Sequence, residues 1–413
     1  MLVHSRFRHW NWSLLDQALV SGTNFAVGIV LVRHLGVEQY GTFVLGWMVV
    51  QFVISIQNAL IILPMLSISP KTDPLQRNRY YTATFILQVA LALLTCAASL
   101  LLAILLQSYT PDWLTSHVML GLMCCLVFMQ FHDYLRRNLF SRLLSKYAFS
   151  VDLIAYGAQL PLLFVIVQLN PSIETALYVI AGTMSLSLLF GCRWLNLAHV
   201  DSAFVVKVTC RHWLSSKWLL GSAILQWVSG NYFLMIAGAI GGAATVGAIR
   251  AAQNLLGLTH IFFQGLENVV PGEASQRFQL GGAKSLSTYV AKTALVLLLG
   301  TGLVAVIAFI CAGPLLMLAY GALNQDSVTA MAWFVPIYIL VSIGLPLRAG
   351  LRTLEATSAI FIAYIATAAF AVGSATYLVG SFSINGAMAG MLVVESIMVL
   401  VLLSSFTKQV QRS

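Results

Sequence analysis

Charge is what this chain has least of. Asp, Glu, Lys and Arg make up 8% of its 413 residues, against 59% for hydrophobic side chains, whereas soluble domains carry roughly a quarter charged residues. So few charges cannot cover a water-soluble body of this size. A soluble globule, a disordered chain and a fibre are all excluded, and most of the surface must face lipid. Cysteine is scarce too. Cys96, Cys124, Cys125, Cys192, Cys210 and Cys311 lie within or beside apolar runs without metal-ligand spacing, which excludes a disulfide framework and a zinc site and leaves small core residues. A Walker A loop, a GxGxxG turn opening a helix, a nucleophile elbow and paired catalytic carboxylates are also missing. No catalytic residue, metal or cofactor is expected. Transport without ATP hydrolysis by this chain is the default.

What the chain does have is long apolar runs. A helix crosses a bilayer in about 20 residues, and twelve such runs lie near 14–34, 41–65, 81–107, 114–135, 147–169, 173–195, 216–239, 243–269, 288–311, 328–349, 355–378 and 384–406. They are continuous and about twice the length of a barrel strand, so the expected class is all-α and polytopic. Asp16 and Gln17 interrupt the first run and no small-residue cleavage site follows it, so a cleavable signal peptide is not expected.

The formal charge of +9 would suggest nucleic acid in a soluble protein. Here the placement of the charges points to the bilayer, and no nucleic-acid partner is expected. With twelve spans drawn, Arg6 and Arg8, Lys71 to Arg79, Arg136 to Lys146, Arg193 to Lys217, Arg277 to Lys292, Arg348 and Arg352, and Lys408 and Arg412 all fall on one side. Only Arg33 and Arg250 depart from that pattern. Cytoplasmic loops collect Lys and Arg, so both termini are expected in the cytoplasm.

The longest link, roughly 196–215, lies midway along the chain and reads as an amphipathic connector on the membrane surface. It divides an N-terminal lobe (1–197) from a C-terminal lobe (216–413), with 198–215 between them. The halves resemble each other weakly. Val20-Ser21-Gly22-Thr23-Asn24-Phe25 is similar to Val228-Ser229-Gly230-Asn231-Tyr232-Phe233. Tyr40-Gly41 aligns with Val246-Gly247, and Gln57 to Pro64 is spaced as Gln264 to Pro271. Six spans per half give a parallel repeat, and in transporters built this way the substrate site lies between the repeats. Chance similarity between apolar segments is the other reading.

Charge at a helix centre costs about 2.5–3.5 kcal/mol on insertion scales, so polar stripes in the spans need a reason. On an ideal helix Arg250, Asn254, Gly257, Ile261, Gln264 and Asn268 share one face of the eighth span, with Gln253 and Glu267 at its edge. That face is expected to line a wet cavity, and interhelical hydrogen bonding is the alternative. Gln17, Ser21, Asn24 and Gly28 form a second stripe in the first span, with Asp16 at its cytoplasmic end. Arg33 points away from Asn24 and either snorkels or faces the cavity. Glu395 stands alone in the twelfth span, as a proton-binding carboxylate or a hydrogen-bonded structural one. Asp133 and Asp152 read as partners of Arg136, Arg137 and Lys146 in salt bridges at the membrane surface. His132 and His260 read as structural.

The stretch Val32-Arg33-His34-Leu35-Gly36-Val37-Glu38-Gln39-Tyr40-Gly41-Thr42-Phe43 resembles the signature of bacterial polysaccharide flippases of the multidrug/oligosaccharidyl-lipid/polysaccharide (MOP) superfamily, with Val37 where the common form has proline. Gly247-Ala248-Ile249-Arg250-Ala251-Ala252-Gln253 is similar to the start of the second lobe. The resemblance implies a MATE-like fold, two six-helix lobes around a central cavity that opens alternately to either side. It implies an inner-membrane transporter that flips an isoprenoid-diphosphate-linked oligosaccharide outward for polysaccharide biosynthesis, beside other polysaccharide assembly proteins. Substrate contact is carried over to Arg250 first and Arg33 second, with Asn254, Gln253, Gln264 and Asn24 around them. Asp16, Glu267 and Glu395 are candidates for proton or sodium coupling. A cation-coupled multidrug exporter of the same superfamily would need acids deep in one lobe. A membrane enzyme of glycan assembly would need a large external loop, which this chain lacks.

Overall fold

The computed structural model describes residues 2–105, 114–322 and 324–412, and their side chains except at 2–11, 14 and 258–269. All regular structure among the described residues is helical: α1 Leu2–Gln57, α2 Leu63–Ile68, α3 Arg77–Leu105, α4 Ser116–Ser141, α5 Ser145–Leu169, α6 Ile173–Gly191, α7 Ser202–Leu255, α8 Gly257–Ile310, α9 Ala312–Tyr320, α10 Gln325–Thr353 and α11 Thr357–Arg412. A π-helical turn, Asn58–Ile62, joins α1 to α2.

Four of these helices are too long for one crossing. At 1.5 Å per residue α11 would extend about 84 Å against a hydrocarbon core of about 30 Å. α8 is broken at Gly281 and Gly282, and the other three each at one residue outside helical geometry: Gly36 in α1 (φ 80°, ψ 169°), Gly242 in α7 (φ 82°, ψ 172°) and Ser383 in α11 (φ 50°, ψ −129°). Nine described stretches are long and apolar enough to cross a membrane, and the single-residue breaks turn three of them into pairs of limbs. Every expected span has a helical counterpart. The eighth runs from the second limb of α7 into α8, and the ninth follows the non-helical Gly281 and Gly282 in α8. Leucines such as Leu93, Leu94 and Leu100 stand exposed on α3, as a lipid-facing surface requires.

The backbone at Gly36 and Gly242 occupies a region open essentially to glycine alone. The interval from Gly36 to Gly242 also separates Val37 from Ala243 and Gly41 from Gly247, and those residues touch reciprocally. A Cβ on Gly41 would collide with the Ala243 carbonyl, and one on Gly247 with the Val37 carbonyl. Two helix starts thus pack backbone to backbone, as small residues allow in membranes.

The chain forms two compact units. Unit 1 comprises Met1–Leu35 and Gly46–Ile224; unit 2 comprises Gly36–Leu45 and Leu225–Ser413. The glycine contact therefore lies within unit 2. Unit 1 is cored by Ile62, Met65, Tyr80 and Tyr134, and unit 2 by Leu286, Leu347, Leu351 and Leu402. The segment expected as a surface connector is largely helix, since α7 begins at Ser202 and continues unbroken to its turn at Gly242.

Substituting Val for Gly41 or Gly247 forces apart two backbones that have no room to yield. We expect each change to destabilise unit 2 by about 1–3 kcal/mol, read as a lower unfolding temperature in detergent. Gly22→Ala, at an open position, should leave that temperature unchanged.

Candidate functional site

Arg250 lies eight residues past the turn at Gly242, so it sits roughly 12 Å along the second limb of α7. Its Nη1 donates to Gln253 Oε1 at 2.5 Å and its Nη2 to Asn231 Oδ1 at 3.0 Å. Gln253 also hydrogen-bonds Tyr338 of α10, and Tyr40 lies within electrostatic reach of the guanidinium. Nearby, the Tyr320 hydroxyl of α9 donates to the Ala251 carbonyl at 2.8 Å and meets Asn254. All of these residues belong to unit 2. Both partners of the guanidinium are neutral amides, and among the described residues no carboxylate forms an ion pair with it. Its Nε is buried without a hydrogen-bond partner in the structure. Arginine has five N–H donors, so among the described residues this cation is positioned without being neutralised. That arrangement suits an anionic guest.

Only part of the polar stripe expected across 250–268 has described side chains. A single turn residue, Leu256 (φ −81°, ψ −2°), joins α7 to α8 at Gly257, and its N–H still bonds the Ala252 carbonyl at 3.4 Å. Arg250, Gln253 and Asn254 are brought together on the near side of that turn. Gln264, Glu267, Asn268 and His260 lie outside the described side chains.

Unit 1 holds a second polar centre, which the sequence reading misplaced. Asp152 is not at a surface; it is fully buried. Its two oxygens meet Arg136 Nε at 2.5 Å and His132 Nε2 at 3.0 Å, while Arg136 Nη2 reaches Asp16 Oδ2 at 2.5 Å. His132 Nδ1 lies 2.8 Å from Ser187 Oγ. Four elements thus converge: α1 brings Asp16, α4 brings His132 and Arg136, α5 brings Asp152 and α6 brings Ser187. Asp133 and Arg137, 3.5 Å apart, remain closer to the surface. Two carboxylates face one guanidinium, with His132 at hydrogen-bonding distance from one of them. The clue in the sequence was the density of polar residues from Gln130 to Asn138. That run makes more sense as a buried network than as an interfacial collar.

The other candidates are dispersed. Asn24 and Arg33 are exposed on α1, and Gln17 donates to Ser21 at 3.0 Å. Glu395, half-buried in the second limb of α11, lies within electrostatic reach of Arg348. Buried ion pairs cost several kcal/mol when one partner is removed. Arg136→Met is therefore expected to destabilise unit 1 by about 3–5 kcal/mol, and the triple change Asp16→Asn, Asp152→Asn, Arg136→Met by much less. Thermal unfolding of the purified variants checks this; equal losses would mean the charges do not act as one network.

No family model matches this sequence, and no curated protein does. Solved structures do match. One is an inward-facing multidrug resistance MATE family transporter of the MOP superfamily, 16% identical, covering 96% of this chain and 94% of the other at a TM-score of 0.76. An outward-facing one is 14% identical, covering 99% and 96%, with a TM-score of 0.67. A MOP superfamily transporter from Pyrococcus furiosus, described by the reverse polarity of its binding pocket, is 15% identical, covering 98% and 95%, with a TM-score of 0.68. Over nearly its whole length, then, this multi-pass membrane chain has the fold of MATE and other MOP superfamily transporters.

Proposed function

We propose that the protein moves an anionic lipid-linked headgroup across the membrane by alternating access, and that the headgroup is the diphosphate and glycan of an isoprenoid-linked oligosaccharide destined for polysaccharide biosynthesis. One observation carries the reading: Arg250 is held by Asn231 and Gln253 without an acidic partner among the described residues. An organic-cation exporter needs the opposite sign there. The Pyrococcus furiosus transporter, whose reverse pocket polarity is said to suggest a different function, is an example of polarity varying within this fold.

The physics favours such cargo. A glycan diphosphate is too polar to cross hydrocarbon unaided, and a guanidinium binds phosphate oxygens in a bidentate fork. The loop charges support cytoplasmic termini, and the reading takes the membrane to be a bacterial inner membrane, as the resemblance to polysaccharide flippases implies. The potential across that membrane favours outward movement of an anion by about 2.3 kcal/mol per charge per 100 mV. For coupling, a proton exchanged at Asp16, beside Asp152 and Arg136, is proposed, with Glu395 and Glu267 the remaining candidates. Arg33, Asn24, Asn254 and Gln264 are assigned secondary contacts with the sugar or its phosphates. Other polysaccharide assembly proteins are proposed as neighbours in the membrane.

In cells lacking the protein, the lipid-linked glycan should accumulate on the cytoplasmic face. Unchanged sidedness with altered dye efflux would favour the multidrug exporter. Hydrogen bonds to a charged group are worth about 1.5–3 kcal/mol, so Arg250→Gln should slow flipping by roughly ten- to a hundred-fold at normal expression. Arg250→Lys, which keeps the charge but loses the fork, should fall between.

A further inference from the structure

The first part of α7 carries an exposed face apart from the Arg250 site. Residues 202–224 belong to unit 1 and the rest of the helix to unit 2. Along 202–218 the helix packs on its unit through one face: Val208, His212 and Ser216 are buried, four residues apart, and Phe204 and Val205 are half-buried against the same core. His212 Nε2 lies 2.8 Å from the Tyr80 hydroxyl, and the Ser216 hydroxyl donates to the Leu60 carbonyl at 3.1 Å. Arg79 ties down the entry to the helix, pairing with Asp201 at 2.6 Å and stacking 4.7 Å over Phe204.

The opposite face is exposed and has a definite composition. At helical spacing Lys207, Arg211, Leu214 and Trp218 form one stripe, and Val206, Cys210, Trp213 and Lys217 form the next. All eight are exposed, with Trp218 at 69% and Leu214 at 67%. Acidic residues are missing from both stripes, and Asp201, just ahead of the helix, is occupied by Arg79. The order along the axis is informative. A 30 Å hydrocarbon core takes roughly 20 residues, so a helix that turns at Gly242 leaves hydrocarbon near residue 222. Trp218, Lys217, Leu214 and Trp213 then fall at the headgroup level, where tryptophan concentrates. Arg211 and Lys207 follow one and two turns further out.

We propose that this face is a binding site for anionic phospholipid. Lys217 meets the phosphate, Arg211 and Lys207 extend the positive charge outward along the helix, and Trp213, Leu214 and Trp218 sit against the glycerol and upper acyl chains. The charge complementarity selects the lipid: three cations without a facing acid favour an anionic headgroup over a zwitterionic one of the same shape. The bound lipid braces the segment of α7 that hangs from α3 by Tyr80 and from the π-helical turn by Leu60. The inference is independent of what the protein transports.

The test uses the full-length chain in phosphatidylcholine nanodiscs that contain either brominated phosphatidylglycerol or brominated phosphatidylcholine at the same mole fraction. Bromine quenches nearby tryptophan. The wild-type protein should be quenched more by the phosphatidylglycerol. The excess should vanish in Trp213→Phe/Trp218→Phe, which locates the signal. It should fall roughly five-fold for each charge removed in the series Lys217→Gln, Lys207→Gln and Arg211→Gln. High salt should reduce it in the unaltered protein, a readout that no folding defect can mimic. Equal quenching by the two lipids, a preference that survives the triple change, or indifference to salt would overturn the site. So would capture of an acidic peptide by these cations in place of lipid.

Discussion

A cation inside a membrane has to be answered by something. In this protein Arg250 is answered by two amide oxygens, from Asn231 and Gln253, which orient the guanidinium but leave its charge in place. The cost of holding that charge at membrane depth is the constraint from which the functional reading follows, because a site that keeps a net positive charge in low dielectric attracts anions and repels organic cations. Tyr338 and Tyr320 help to build this setting from α10 and α9, which come from parts of the chain well separated from α7.

Unit 1 solves the opposite problem. There Arg136 is overmatched by Asp16 and Asp152, and His132 completes the set. Among the described residues, one unit thus holds a buried acid–base network and the other a cation paired with amides. The repeat that relates Gly36 to Gly242 and Gly41 to Gly247 does not extend to these polar residues, so the two halves share a scaffold and differ in chemistry.

Much of the fold was legible from residues alone, because lipid imposes simple rules. The twelve apolar runs and their helical form follow from backbone hydrogen bonding and hydropathy, whereas the turns at Gly36 and Gly242 did not show in the periodicity. Arg250 stood out as one of two cations in the wrong place. What escaped the sequence reading depended on tertiary contact. Helical periodicity could not reveal the turn at Leu256 that separates α7 from α8 within the stripe from Arg250 to Asn268. Asp152 looked interfacial because its neighbours in sequence are basic. Only the convergence of α1, α4, α5 and α6 shows it to be buried. Asn231 was visible as part of the repeat, but its role in holding Arg250 is a contact across nineteen positions that periodicity does not encode.

The central claim is that the charge of Arg250 is free to take an anion. The direct measurement is equilibrium binding of a short-chain isoprenoid diphosphate to the purified protein in detergent, with tetraphenylphosphonium as the competing organic cation. The account predicts saturable binding of the diphosphate, weakened at least ten-fold by Arg250→Gln and untouched by the cation. Equal affinity in the variant, or preferential binding of tetraphenylphosphonium, would contradict it.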